Sequence, residues 1–367
     1  MMTNIYNSDL AIHAGEFLEE TLEEIGMTQS ELANRLGRPT QTVNEIIKGK
    51  KSITSTTALE LEDVLGIPSH IWLGLENQYQ IVLAKQKELE LMQEETKLIS
   101  NFPYADLVKS GFVKATRKAI EKVDELKRFF EVAKLAQIPE VRAYQSAFRV
   151  SSSGNISHES IASWLQAGRI KAKEIQTKKF DKKKLKEQLQ TLKNLMNLED
   201  INETLHELQT TLNSCGVALI LLPHFKNTKV NGATFWLDND KAVILMSLRG
   251  GFSDVFWFSF FHEVGHILLH PKREVFLEDG YSNEKLKKQE READDFAREL
   301  LIKDETFNTF VSNKNFTKNG VLAFAKQQEI KPSIIIGRLM HEKIIEFNSY
   351  ELSSLRDRYK WSENNGI

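Results

Sequence analysis

The sequence His262-Glu263-Val264-Gly265-His266 constrains this chain of 367 residues more than any other stretch. It lies within residues 252–270, which are predicted to form a buried helix that the side-chain oxygens of Ser253 and Asp254 can cap. Positions four apart share one face of a helix, so the two imidazoles can hold one metal ion with Glu263 beside it. Two core histidines without a metal are the alternative, but polar groups among aromatic side chains are costly unless something satisfies them.

A catalytic zinc site has three protein ligands and an open fourth position, so the motif predicts a further ligand. The spacing His-x-x-Gly-x-x-His does not follow His266, and the ligand is therefore expected from a second helix. Residues 283–302 have the period of such a helix, and Glu292 adjoins its apolar face. Glu292 is the first candidate, with Glu290 in reserve. His270 lies a helical turn too far along and is expected to be structural.

Composition and charge narrow the class of protein. Hydrophobic residues make up 41% and charged residues 27%, as in soluble globular proteins. The net charge of −2 gives no overall attraction to nucleic acid. One cysteine, Cys215, excludes an internal disulfide and suits a reducing compartment. Neither a signal peptide nor an apolar run of the ~20 residues that span a membrane is recognisable, so a cytoplasmic protein without a membrane partner is expected.

Residues 11–79 are predicted to form five helices, of which the second and third are short and joined by a tight turn, as in a helix-turn-helix. Thr28 and Glu31 form a capping box at the start of the second helix. The third helix begins with polar side chains that can reach base edges, and lysines follow where phosphates would lie. The alternative is a small protein-binding module with solvated lysines. The predicted DNA contacts are Gln29, Thr40, Gln41, Thr42, Asn44, Lys48 and Lys50.

Strands are predicted only late in the chain, at 217–222, 232–237 and 242–247, with a hairpin turn at 238–240. The predicted fold class is therefore mainly α with a small antiparallel sheet (α+β). A loop at 151–155 suggests a boundary. The predicted domains are a five-helix helix-turn-helix domain, a helical connector and a zincin-like domain with the His-Glu-x-x-His motif, at residues 1–80, 81–150 and 151–367.

The N-terminal module resembles the HigA-type antitoxin branch of the Cro/repressor (XRE) class. The resemblance is carried by Gly15-Glu16-Phe17-Leu18, Thr28-Gln29-Ser30-Glu31-Leu32-Ala33, Ile46-Ile47-Lys48-Gly49-Lys50-Lys51-Ser52-Ile53-Thr54 and Trp72-Leu73. It implies double-stranded operator DNA as a partner. It also implies a homodimer.

The C-terminal part resembles the ImmA/IrrE family of zinc metallopeptidases. The resemblance is carried by Gly232-Ala233-Thr234, Arg249, residues 258–270 and Glu292-Ala293-Asp294-Asp295-Phe296-Ala297. It implies Zn²⁺ held by His262, His266 and Glu292, with Glu263 as general base. Asp294 stands where the family often has asparagine. Tyr281 or His224 is a candidate for an additional electrophile, and the strand at 232–237 is a candidate edge for an extended substrate.

Together the two halves predict a DNA-binding transcriptional regulator that carries a zinc-dependent endopeptidase. By the second resemblance, its protein substrate is a repressor or a toxin–antitoxin component. The alternative is a non-proteolytic HigA-type antitoxin or repressor whose metal domain senses or scaffolds.

Overall fold

The computed structural model describes residues 12–149, 156–272, 276–277, 284–346 and 350–361. The chain divides into two compact units, Met1–Thr96 and Lys97–Ile367. The predicted class, mainly helical with a small sheet, is confirmed. Among the described residues, no helix has the length and apolar character needed to cross a membrane. The loop expected at 151–155 lies outside the described residues.

The described part of the first unit is a small helical domain. Its helices are α1 (Ala14–Ile25), α2 (Gln29–Arg35), α3 (Thr40–Ile47), α4 (Ser55–Leu65) and α5 (Ser69–Glu95). The Thr28 half of the predicted capping box is confirmed, because the Glu31 amide donates to the Thr28 hydroxyl at 3.2 Å, whereas the Glu31 carboxylate accepts from Arg35. Gly26 ends α1 at φ 66°, a left-handed conformation that glycine adopts without strain. Leu18 and Trp72 are among the buried side chains that form its core.

The second unit is a larger helical domain around a small sheet. Its α-helices are α6 (Tyr104–Lys109), α7 (Ala119–Phe130), α8 (His158–Glu174), α9 (Lys182–Glu187), α10 (Leu189–Asn194), α11 (Ile201–Ser214), α12 (Ser253–Leu269), α13 (Glu284–Leu301), α14 (Asp304–Ser312), α15 (Lys318–Gln327), α16 (Pro332–His341) and α17 (Tyr350–Ser353). Short 3-10 helices lie at Thr96–Asn101, Leu135–Glu140, Ala147–Arg149 and Leu195–Asn197.

The sheet is mixed rather than antiparallel throughout. Its strands are β1 (Val217–Leu221), β2 (Gly232–Trp236), β3 (Ala242–Met246) and β4 (Phe276–Leu277), in the order β1-β3-β2-β4. The predicted hairpin is confirmed, with Trp236 opposite Ala242. β1 pairs with β3 in parallel, because two reversals of the chain return β3 to the direction of β1.

Helix α12 is central to the second unit and contacts α13, α16, β2 and β3. The predicted capping by Ser253 and Asp254 is wrong, since Phe252 is the N-cap and makes no side-chain capping bond. Both side chains form polar contacts with residues outside α12 instead. The Ser253 hydroxyl lies 2.9 Å from that of Ser333 on α16, and the Asp254 carboxylate lies 2.6 Å from the Arg356 guanidinium.

The C-terminal segment supports the start of α12. The Tyr359 amide donates to the Gly251 carbonyl at 2.7 Å. The Trp257 indole N–H donates to the Tyr359 hydroxyl at 3.1 Å. The beginning of the helix that carries the His-Glu-x-x-His motif is therefore held by residues about a hundred positions later in the chain.

Candidate metal centre and helix-turn-helix surface

The two histidines of the motif point at one another from successive turns of α12. Their Nε2 atoms are 2.8 Å apart, and each residue is 1% exposed. The apolar neighbours on α12, including Phe260, Phe261 and Val264, exclude water from the helix on its other sides. The helical spacing of four residues thus produces the juxtaposition predicted from the sequence.

Glu290 of α13 brings a carboxylate to the same point. Its Oε2 lies 3.2 Å from Nε2 of His262, and its Oε1 lies 3.5 Å from Nε2 of His266. One ligand atom from each of these three residues falls within 4.8 Å of the others, which is the arrangement of a His-His-Glu metal site.

The expected position of Glu292 is corrected by this geometry. Its Oε2 lies 3.1 Å from Nε2 of His270, away from the pair of Nε2 atoms. Residues two apart on a helix are separated by about 200° around its axis, so Glu290 and Glu292 leave α13 in different directions and contact different histidines of α12. Glu290 shares its helix face with the buried Ala293 and Ala297, at spacings of three and seven. That spacing was the sequence signal that favoured Glu290.

The pKa values of His266 and Glu290 are shifted toward the forms that bind a metal. Burial lowers the pKa of His266 to about 4, which leaves a neutral imidazole with a free lone pair at pH 7. Burial raises the pKa of Glu290, but hydrogen bonds from His262 and His266 outweigh it, and the pKa lies below its usual value. The neutral His266 imidazole and the Glu290 carboxylate are therefore donors that can bind Zn²⁺ without first losing a proton.

Each histidine has a second partner on its other ring nitrogen. Nδ1 of His262 lies 2.8 Å from Oδ1 of Asp294. Nδ1 of His266 lies 2.9 Å from Nδ1 of His270. The ring of Phe276 on β4 stacks over His266, with centroids 4.2 Å apart and planes at 16°. The rings are therefore held on several sides.

Glu263 is fully buried and turned toward β2. The Thr234 hydroxyl donates to its Oε2 at 2.6 Å. Gly232 leaves room for its carboxylate, because a Cβ atom there would lie 2.5 Å from Oε1. β4 pairs with β2 at Ala233 and Thr234, so the edge expected to receive an extended substrate is already occupied at those residues.

A cavity of about 1140 Å³ lies between α12, α13 and α16. His262 and Glu290 line it, together with the apolar Phe258 and the basic Arg291. The candidate electrophiles are not brought to the metal ligands in the described structure: His224 is exposed on the surface, and Tyr281 lies outside the described residues. Arg249 is exposed and donates to the Lys229 carbonyl at 2.8 Å.

The predicted DNA contacts lie on or just after the adjoining helices α2 and α3. Asn44 donates to the side-chain oxygen of Gln29 at 3.2 Å, and Gln41 donates to Glu45 at 2.9 Å. Gln41 is exposed and Asn44 is half-buried. The remaining predicted contacts are the exposed Thr40, Lys48 and Lys50 and the half-buried Thr42. Contact with bases or phosphates stays a prediction.

Comparison with known proteins gives two family matches. Residues 18–72 match the helix-turn-helix family, and residues 253–319 match the IrrE N-terminal-like domain of the M78 peptidases. Over 77 residues the chain is 36% identical to virulence-associated protein I of Dichelobacter nodosus, which covers 21% of this chain and 71% of that protein. Over 72 residues the chain is 26% identical to the uncharacterised HTH-type transcriptional regulator YddM of Escherichia coli K12. The matched residues make up 20% of this chain and 77% of that protein. Among solved structures, an addiction-module antidote protein of the HigA family from Coxiella burnetii is 37% identical, with a TM-score of 0.22. The match covers 23% of this chain and 94% of that chain.

Proposed function

Since the chain belongs to the helix-turn-helix family through its N-terminal residues and carries an IrrE N-terminal-like peptidase domain near its C-terminus, we propose that it is a DNA-binding regulator with a zinc-dependent endopeptidase. The proposed substrate is a regulatory protein, either a repressor or a toxin–antitoxin component, as the ImmA/IrrE resemblance implies. We also propose that it acts in the cytoplasm as a homodimer on operator DNA.

The observation that carries the peptidase proposal is the convergence of three donors, the buried His262 and His266 and the half-buried Glu290. Burying two imidazoles and a carboxylate costs free energy unless a partner satisfies them, and a divalent cation does so. A zinc ion bound there would act as a Lewis acid and would make a water molecule a stronger nucleophile at neutral pH.

Glu263 is the proposed general base. It is the motif residue next to His262, and a carboxylate there can take a proton from the attacking water and return it to the leaving amine. The hydrogen bond from Thr234 fixes one of its oxygens. The cavity beside His262 is wide enough for several side chains of a bound segment, and its wall combines apolar and charged groups.

Glu263→Gln tests hydrolysis directly. The change removes the basic oxygen but keeps the size of the side chain, and we expect cleavage to fall by about 100-fold or more, as for the loss of a general base. Zinc binding should persist, because Glu263 is not a proposed ligand. The measurement is a comparison of new protein N-termini in cells that express wild type or the variant.

Glu187→Gln is the matched control, since Glu187 is exposed on α9 and remote in sequence from the motif. It should cleave like wild type. If Glu263→Gln produces the same new N-termini at the same rate, or relieves repression equally well, then the chain does not act by hydrolysis through Glu263.

The alternative is a non-proteolytic antitoxin or repressor whose metal domain scaffolds or senses. One observation favours it: the Glu263 carboxylate is fully buried against β2. In that case Glu263→Gln leaves regulation intact, whereas loss of the metal ligands lowers the stability of the second unit and disturbs regulation.

A further inference from the structure

We propose that His270 and Glu292 form a hydrogen-bonded relay that fixes the tautomer of His266 and so aims its Nε2 lone pair at the metal position. This inference rests on the metal site of the proposed function. It gives Glu292 a positioning role in place of the ligand role that its sequence context first suggested.

The relay is continuous across α12 and α13. Oε2 of Glu292 lies 3.1 Å from Nε2 of His270, and Nδ1 of His270 lies 2.9 Å from Nδ1 of His266. The His270 side chain is only 3% exposed, whereas that of Glu292 is 44% exposed. Phe276 covers both rings, with its centroid 4.2 Å from that of His266 and 5.2 Å from that of His270.

The chemistry of the donors sets the direction of the hydrogen bonds. A carboxylate can only accept, so His270 must place its proton on Nε2 to bond with Glu292. With a metal on its Nε2, His266 would carry its proton on Nδ1 and donate it to Nδ1 of His270. Both hydrogen bonds would then run outward, from His266 to His270 and from His270 to Glu292.

His262 is oriented in a similar way, but its carboxylate partner contacts it directly. The Asp294 carboxylate accepts from Nδ1–H of His262, which leaves the Nε2 lone pair of that ring. Both lone pairs then point to the place where the Glu290 oxygens also converge. One ligand is oriented by a carboxylate directly and the other by a carboxylate through an intervening imidazole.

A matched pair of variants at His270 isolates the hydrogen bond from packing. Asn and Leu have nearly the same shape, but only Asn offers an oxygen near the position of Nδ1 that can accept from His266. We expect His270→Leu to lower zinc affinity by about 10–100-fold, as for loss of an outer partner of a metal ligand. His270→Asn should recover most of it. Competition with a chromophoric chelator at one fixed pH measures both.

Glu292 supplies a second test, because it is partly exposed and its replacement does not create a buried cavity. Glu292→Leu should lower zinc affinity in the same direction as His270→Leu. Lys288→Ala is the control: it removes the lysine 3.7 Å from the other oxygen of Glu292 and leaves the relay intact. Equal zinc affinity in wild type, His270→Leu and Glu292→Leu would overturn the relay, as would an equal loss in Lys288→Ala.

The test of the relay is separable from the test of the proposed function. Chelator competition measures zinc binding, whereas Glu263→Gln measures cleavage. If wild type binds zinc but cleaves nothing, the proposed peptidase fails while the His270 and Glu292 variants still test the relay.

Discussion

At the scale of single residues, the candidate metal site depends on which of two glutamates on α13 lies beside His262 and His266 of α12. The sequence predicted both histidines, because a spacing of four on a helix fixes them relative to one another. The choice between Glu290 and Glu292 depended on the rotation of α13 about its axis, which a narrow apolar face of alanines specifies only weakly. Glu290 shares the face of Ala293 and Ala297, and this places it at the histidines.

Glu290→Gln and Glu292→Gln separate the two roles. The first replaces a proposed ligand by a neutral amide that binds zinc weakly, so zinc affinity should fall by more than the ~10–100-fold typical of an outer partner. The second keeps an oxygen that can accept from His270 and should cost about 10-fold or less. Chelator competition on both proteins measures the difference. A larger loss in Glu292→Gln would restore that residue as the ligand.

At the scale of elements, β2 and α12 are fitted to one another through Gly232 and Glu263. The three apolar runs predicted the strands to within a residue at their ends, because an apolar run and the turn residues that bound it are local properties. The parallel pairing of β1 with β3 and the two-residue β4 were not predictable, since partner choice depends on contacts distant in sequence.

Gly232→Ala tests this fit. The added Cβ would lie 2.5 Å from Oε1 of Glu263, and the buried carboxylate must shift from the hydroxyl of Thr234. We expect a loss of about 1–3 kcal/mol in the free energy of unfolding, measured with urea, as for overpacking of an interior. Cleavage should also fall if Glu263 is the base.

Gly74→Ala on α5 is the control for the same chemical change, because nothing lies within 4 Å of a Cβ atom there. A helix interior favours alanine over glycine by roughly 0.5–1 kcal/mol, so stability should be unchanged or slightly higher. Equal stability of Gly232→Ala and wild type would show that β2 tolerates a side chain next to Glu263.

At the scale of the whole molecule, the first unit could be predicted from local sequence signals more easily than the boundary that follows it. The helix-turn-helix was recognisable from caps and glycines, and all five predicted helices are present among residues 12–96. The region after it was harder to divide, because α5 continues to Glu95 without a break that composition could reveal.

The double variant Gln41→Ala with Asn44→Ala tests base recognition by the first unit. Each bidentate contact contributes about 1–3 kcal/mol of discrimination, so affinity for DNA selected by the wild type should fall far more than affinity for random DNA. Fluorescence anisotropy at two salt concentrations measures both. Gln86→Ala, on the exposed surface of α5, is the control. Equal losses on both DNAs would mean that these residues do not read bases.

The support of α12 by the C-terminal segment has a consequence for biosynthesis. A ribosome makes helices α1 to α5 before α12, but Arg356 and Tyr359, which hold Asp254 and Gly251, are translated some hundred residues after α12 begins. A nascent or prematurely stopped chain would therefore possess the first unit before the histidine helix is anchored. Order of translation alone thus places the completion of the first unit before the anchoring of α12.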